Sequence, residues 1–234
     1  YVIYLINSGT AALTGLTVTD DLGGYAFGAG TVYPLRYTDG TVRYFANGVL
    51  QAAPDVTAGP PLRFTGITVP AGGTAALVYQ AEVTAYAPPT ADGVISNTVT
   101  VSGGALAGQT ATEEITASQA ARLEITKALS PAVVAENGQL TYTFTIRNFG
   151  PTAVDAADDA AVTDTFSPVL NDITVTYNGT PWATPGDYTY RAATGVFSTT
   201  PGRITVPAAA YTQSTDGTWV ITPGTATLVV SGTI

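Results

Sequence analysis

The sequence contains no cysteine, no histidine and no methionine. Without thiol or imidazole there is no thiolate or imidazole zinc site, no haem ligation, no Ser-His-Asp or Cys-His triad and no disulfide chemistry. Charge is also scarce: Asp, Glu, Lys and Arg make up 11% of the 234 residues, against roughly 25% in an ordinary soluble domain. Threonine, glycine, alanine and 13 tyrosines fill the deficit, so polarity is carried by hydroxyls and amides. The eight cationic side chains are seven Arg and one Lys, scattered without a basic stripe, and the net charge is −9. Such a chain repels a phosphate backbone, so nucleic acid is not an expected partner. No apolar run approaches the roughly 20 residues of a membrane-spanning helix, so this segment is not expected to insert into a membrane. No signal-peptide or sorting pattern is visible in these residues. The chain opens on Tyr1 and reads as a piece of a longer polypeptide, with targeting information expected outside it.

What is present is strand. Apolar residues alternate with Thr, Ser or Asn at period two, and most are β-branched or aromatic. Strands are expected over 66–69, 75–83, 95–101, 123–128, 140–147, 173–177 and 226–231. Turn pairs separate them: Asp39-Gly40, Asn47-Gly48, Gly72-Gly73, Asn137-Gly138, Asn178-Gly179 and Asp216-Gly217, whose second residues tolerate positive φ. Short strands with frequent turns describe an all-β sandwich or barrel. The one competitor for helix is the Ala-rich stretch 154–162, which its Asp155, Asp158 and Asp159 mark as a loop or a single turn.

The chain repeats itself. Tyr1–Gly9 (YVIYLINSG) superposes on Tyr142–Gly150 (YTFTIRNFG), and Val18-Thr19-Asp20 on Val162-Thr163-Asp164. Asn47-Gly48 then matches Asn178-Gly179, and ITVPAGGTAALVY from Ile67 matches VITPGTATLVV from Val220. The offset runs 141, 144, 131 and 153 at these landmarks, so loop lengths differ between copies. A spacing of ~140 residues far exceeds a solenoid unit, and each copy is expected to be a domain: residues 1–118 and 119–234. The junction around Thr116 to Arg122 holds no Gly or Pro run and is expected to continue the strands and limit bending.

The landmarks Leu123-Glu-Ile-Thr-Lys127, Ser130-Pro131, Asn137-Gly138, TYTFTIRNFGPTA from Thr141 and Val162-Thr-Asp-Thr-Phe166 are similar in order to one known family. The chain resembles the bacterial and archaeal surface-repeat family called domain of unknown function eleven. The resemblance implies two tandem immunoglobulin-like β-sandwiches of a cell-surface or secreted adhesin-like protein. In that family pattern a unit opens with the ITK strand and closes with one like Ser96-Asn97-Thr98-Val99-Thr100-Val101. The first copy has only the closing strand and the second only the opening one, so each is expected to lack a terminal strand and to expose an unpaired edge. Fragmentation of a longer protein accounts for this; strand donation between subunits of a surface filament is the alternative.

Lys127 is the only lysine. A buried amine is a nucleophile in its neutral form, which Arg cannot be. Some Gram-positive surface sandwiches, the collagen-adhesin B-type domains among them, join a first-strand Lys to a last-strand Asn with the help of a buried carboxylic acid. That resemblance implies Lys127 as amine, Asp164 (with Asp20 its counterpart) as assisting carboxyl and Asn97 as the first copy's acceptor. An exposed strand-end lysine is the plainer reading. Asp155, Asp158 and Asp159 lack EF-hand spacing. Glu113-Glu114 and Asp20-Asp21 are strand neighbours pointing to opposite faces, so neither pair converges on one bond. Trp182, Trp219, Tyr177, Tyr188, Tyr190 and Tyr211 offer either an aromatic platform for sugars or ordinary strand filling. No catalytic residue, metal or cofactor is expected. The expected role is a spacer or stalk at the bacterial cell surface or cell wall, partnered by neighbouring repeats of the same polypeptide. A host-protein or glycan ligand is the alternative.

Overall fold

A computed structural model describes residues 1–104 and 106–234. The protein is all-β, built from several small antiparallel sheets, with a single turn of 3-10 helix at Ala156–Asp158 in the Ala-rich stretch. It divides into two compact units, Tyr1–Ala117 with Gln213–Trp219, and Ser118–Thr212 with Val220–Ile234.

In the first unit a four-stranded sheet runs in the order Val2–Ile6, Thr74–Val78, Arg43–Ala46, Val49–Leu50. A five-stranded sheet runs Leu106–Thr116, Val94–Gly103, Leu13–Asp20, Leu62–Val69, Asp55–Thr57. The core draws on both, with Leu16, Val18, Phe64, Ile67 and Leu77 at 1% exposure or less. In the second unit five strands run Leu123–Ser130, Gln139–Asn148, Gly224–Thr233, Asn171–Tyr177, Thr180–Trp182, and three run Thr163–Thr165, Val196–Thr199, Tyr188–Arg191. Its core centres on Phe144, Phe166, Leu170, Phe197, Leu228 and Val230. Each such side chain contributes about 1.5–3 kcal/mol on full burial.

Sequence period explains these elements. In Gln139–Asn148 (QLTYTFTIRN) the buried residues are Leu140, Tyr142, Phe144, Ile146 and Asn148, and threonines alternate with them. A strand places successive side chains on opposite faces, so this spelling commits one face to the core. The expected stretch 75–83 is instead broken at Tyr79 and Gln80 into Thr74–Val78 and Ala81–Val83. Tyr79 exchanges backbone bonds with Tyr1 as a last rung of the first ladder, and from Gln80 onward the chain pairs with another partner, Thr38 N donating to Gln80 O and Ala81–Val83 pairing with Leu35–Tyr37. At Asn47-Gly48 and Asn178-Gly179 both residues have positive φ, as a two-residue hairpin turn requires. In the pairs Gly72-Gly73 and Asn137-Gly138 the positive φ falls on the first residue, not the second.

The internal repeat is visible in the hydrogen bonding. Asn7 Oδ1 accepts from Gly9 N at 3.0 Å, and its Nδ2 donates to Ala11 O and Pro70 O. Asn148 Oδ1 accepts from Gly150 N at 2.9 Å, and its Nδ2 donates to Thr152 O and Pro207 O. The Tyr44 hydroxyl donates to Thr68 O and accepts from Thr68 N; Tyr177 does the same with Thr205. These contacts correct the last landmark. The counterpart of Ile67-Thr-Val-Pro70 is Ile204-Thr-Val-Pro207, and the 220–223 stretch is not. The strand that follows matches as Thr74–Tyr79 on Thr225–Val230, confirmed by the cross-strand rows Ile3·Leu77·Tyr44 and Phe144·Leu228·Tyr177. Residues 208–224 are a long insertion between the two matched pieces.

Residues 117–122 belong to no strand, contrary to the expectation for the junction. The segment is held by other means: Arg122 N donates to Asn148 Oδ1 at 3.0 Å, Phe149 N donates to Arg122 O, and the Thr152 hydroxyl donates to Gln119 O. The Phe149–Arg122 bond is the last rung of the Leu123–Ser130 ladder; beyond it the side chains of Asn148 and Thr152 take backbone groups that a continuing ladder would need.

Candidate functional site

In the first unit Asp20 ends the Leu13–Asp20 strand between Leu62 and Val99 of the flanking strands, and is fully buried. A buried carboxylate is costly unless donors replace water. Three do so. Leu22 N donates to Oδ1 at 2.7 Å, while the Tyr79 hydroxyl and Asn97 Nδ2, the latter at 3.2 Å, donate to Oδ2. Asn97 lies on Val94–Gly103 at 2% exposure, and among the described residues its Oδ1 has no hydrogen-bond partner; neither has the Tyr1 hydroxyl. Tyr1 and Tyr79 stack with ring centroids 5.5 Å apart. Burial, with the nearby Asp20 charge, raises the Tyr79 phenol far above its usual range and pushes Tyr1 up to about 12. None of the described ion pairs involves Asp20.

In the second unit the matching carboxylate, Asp164 on Thr163–Thr165, pairs with the Lys127 ammonium. This Oδ2 receives the ammonium as an ion pair without a regular hydrogen bond, and Oδ1 accepts from Thr165 N. Lys127 stands opposite Phe144 in the ladder, and its Nζ lies 4.5 Å from the centre of the Tyr142 ring, 5.7 Å from Phe144 and 5.6 Å from Phe166. The lysine side chain is 40% exposed. A half-exposed pair with cation–π support contributes on the order of 1 kcal/mol. Replacing Lys127 by Met is therefore expected to lower stability by about 1–2 kcal/mol in chemical denaturation; a cost above about 3 kcal/mol would show that the ammonium is far more enclosed.

The residues that the resemblance implied for a cross-link thus fall into two half-sets. Asp20 and Asn97 meet in the first unit, and Lys127 and Asp164 meet in the second. Lys127 and Asn97 belong to different units, and neither unit holds amine, acid and amide together. The reason is strand inventory. Among the described residues the Leu123–Ser130 strand has no counterpart beside Val2–Ile6, and Val94–Gly103 has none beside Thr163–Thr165, which pairs with Val196–Thr199 alone. Tyr79 and Tyr1 were absent from the sequence-derived set. The repeat did carry a signal for Tyr1, since it superposes on Tyr142, the ring beneath Lys127.

The remaining sequence-derived residues do not assemble into a site. Asp155 accepts from Ala157 N and Asp158 accepts from Asp155 N, so both cap the 3-10 turn. No cluster of three metal-ligating side chains occurs among the described residues. Asp21 accepts from Gly23 N and Thr98 N, tying the strand end to its neighbour, while Glu113 and Glu114 are exposed on Leu106–Thr116. The aromatic platform is not formed as one surface: Tyr177 and Tyr188 are core residues, and Trp182 stacks on Tyr177 at 4.7 Å. The Tyr190 hydroxyl bonds the backbone of Leu170 and that of Tyr211 donates to Phe149 O, while Trp219 groups with the first unit and donates to the Tyr25 hydroxyl.

No protein-family model matches the chain, and no curated protein is significantly similar to it. The likeness to the surface-repeat family rests on the residues quoted above. What the arrangement offers chemically is a buried carboxylate and amide in the first unit with no ion-pair partner among the described residues, whereas the matching carboxylate of the second unit has one.

Proposed function

We propose that the chain is a structural spacer: two tandem immunoglobulin-like sandwich repeats of a bacterial cell-surface or secreted adhesin-like polypeptide, with no reaction of its own. The observation that carries this reading is the repetition of one build at the level of single hydrogen bonds. Asn7 and Asn148 lock the same corner, and Tyr44 and Tyr177 clamp the same threonine of an ITVP segment. Duplicated corners and clamps serve mechanical persistence, and the buried side chains of Asn7, Asn148 and Thr199 are occupied in holding backbone. Few charges and much threonine suit a module whose work is length. Single-molecule pulling tests the idea. Two separate unfolding events are expected, each releasing about 40 nm of chain at ~3.4 Å per residue. A single event spanning the whole length, or extension with no resolved force peak, would refute it.

A further inference from the structure

Val2–Ile6 ends its sheet, and its outer edge pairs with no strand among the described residues. In an antiparallel ladder alternate residues turn their backbone groups to one neighbour. Tyr1 bonds Tyr79 and Asn7 bonds Gly73, so the odd residues serve the inner partner and Val2, Tyr4 and Ile6 aim N–H and C=O outward. Their side chains are exposed too, at 67%, 61% and 73%. Along the edge runs a groove of about 660 Å³, walled by Tyr1, Ile3, Leu5, Val99, Val101 and Ala111 and reaching Asn97.

The second unit holds the answer to what fills such a place. There the equivalent residues Thr143, Thr145 and Arg147 are paired by the Leu123–Ser130 strand, and the Phe149 N–H donates to Arg122 O in the same phase. Under that cover Tyr142, Phe144 and Ile146 are buried, whereas their counterparts Tyr1, Ile3 and Leu5 are only partly so. The covering strand presents Leu123, Ile125, Lys127 and Leu129 at alternate positions, and Lys127 reaches Asp164. Transferred to the first unit, a lysine opposite Ile3 would meet Asp20, the counterpart of Asp164, and lie over the Tyr1 ring. Three features already wait there: a buried carboxylate without a cation, the unpartnered Oδ1 of Asn97 and the unpartnered Tyr1 hydroxyl. All three accept from an ammonium.

We propose that this groove takes an added β-strand of the Leu123–Ser130 type, antiparallel to Val2–Ile6. It would place apolar side chains at alternate positions and a lysine opposite Ile3, with its ammonium among Asp20, Asn97 and Tyr1. Backbone bonds supply affinity, and the lysine seat supplies register, since a one-residue slip would turn the ammonium to the opposite face. The spacer reading does not require this site, and the site does not require the spacer reading.

The test uses the full chain and a fluorescent synthetic peptide with the sequence of Arg122–Pro131, followed by anisotropy. Saturable binding of one peptide per chain is expected. A peptide with Met in place of its lysine is expected to bind at least tenfold more weakly. On the protein, Tyr4→Pro removes an outward N–H that no ladder bond uses, and is expected to abolish binding while the chain stays folded. No binding, equal affinity of the Met peptide, or undiminished binding to Tyr4→Pro would each overturn the proposal. So would a chain that dimerises through this edge and excludes the peptide.

Discussion

Replacing Asn148 by Ala is expected to cost the second unit about 3–5 kcal/mol. Its side chain is fully buried and makes four hydrogen bonds: to Thr152 O at 2.7 Å and Pro207 O at 3.1 Å as donor, and from Gly150 N at 2.9 Å and Arg122 N at 3.0 Å as acceptor. Each backbone group stranded away from water costs about 1–3 kcal/mol, with partial relief where the cavity admits solvent. Alanine keeps none of the four. For a unit of this size the melting point is expected to fall by roughly 20 °C. Asn7→Ala removes the matching corner of the first unit, where Nδ2 reaches Ala11, Val69 and Pro70 and Oδ1 holds Gly9, and is expected to act on that unit's transition with similar size. Calorimetry or denaturant melts of both variants check this. A loss below about 1 kcal/mol in either would mean that the corner is braced by something other than the amide.

Alkali is expected to unfold the chain, and the onset is fixed by tyrosine. Burial raises the phenols of Tyr1, Tyr79, Tyr177, Tyr188 and Tyr211, with the Asp20 charge adding to the first two. The sign follows from proton uptake. Where folded phenols hold protons that unfolded ones release, the folded state binds more protons, and stability falls with rising pH. The stabilisation is therefore whole below pH ~10, the ordinary tyrosine value. It is lost as pH rises through the folded values, with Tyr1 at about 12. Because the chain has no histidine, no side chain with an ordinary pKa near neutrality bends the curve between pH 6 and 9. Denaturant midpoints from pH 7 to 12, read beside phenolate absorbance, should stay level and then drop steeply. A midpoint that declines steadily from pH 7, or holds to pH 12, would contradict this.

Much of the fold was legible because threonine and β-branched residues spell period two without ambiguity, as Gln139–Asn148 does. The corner Asn-x-Gly was legible as a repeat for the same reason that it is structural: the amide oxygen needs the N–H two residues on. The fourth matched segment was misplaced because residues 208–224 carry their own Thr-Pro-Gly turn, and a second proline beside a glycine imitated Pro70 well enough to mask Pro207. Within the site, Asp20 with Asn97 and Lys127 with Asp164 came from the family likeness. Period alone assigns faces, not partners across a core. Tyr79 was hidden because it reads as one more strand residue, whereas it lies at a break and turns its hydroxyl to Asp20. An unpaired edge was expected from the family pattern, whereas the groove along Val2–Ile6 depends on strand order, which no local pattern encodes.

The lone lysine has a practical corollary. Since Lys127 is the only side-chain amine, and enough of it reaches solvent to be approached, amine-directed coupling would modify a single side chain, at a defined point on the second unit, in addition to the α-amino group. Coupling would also neutralise the charge that answers Asp164, so the labelled chain would report on its own ion pair.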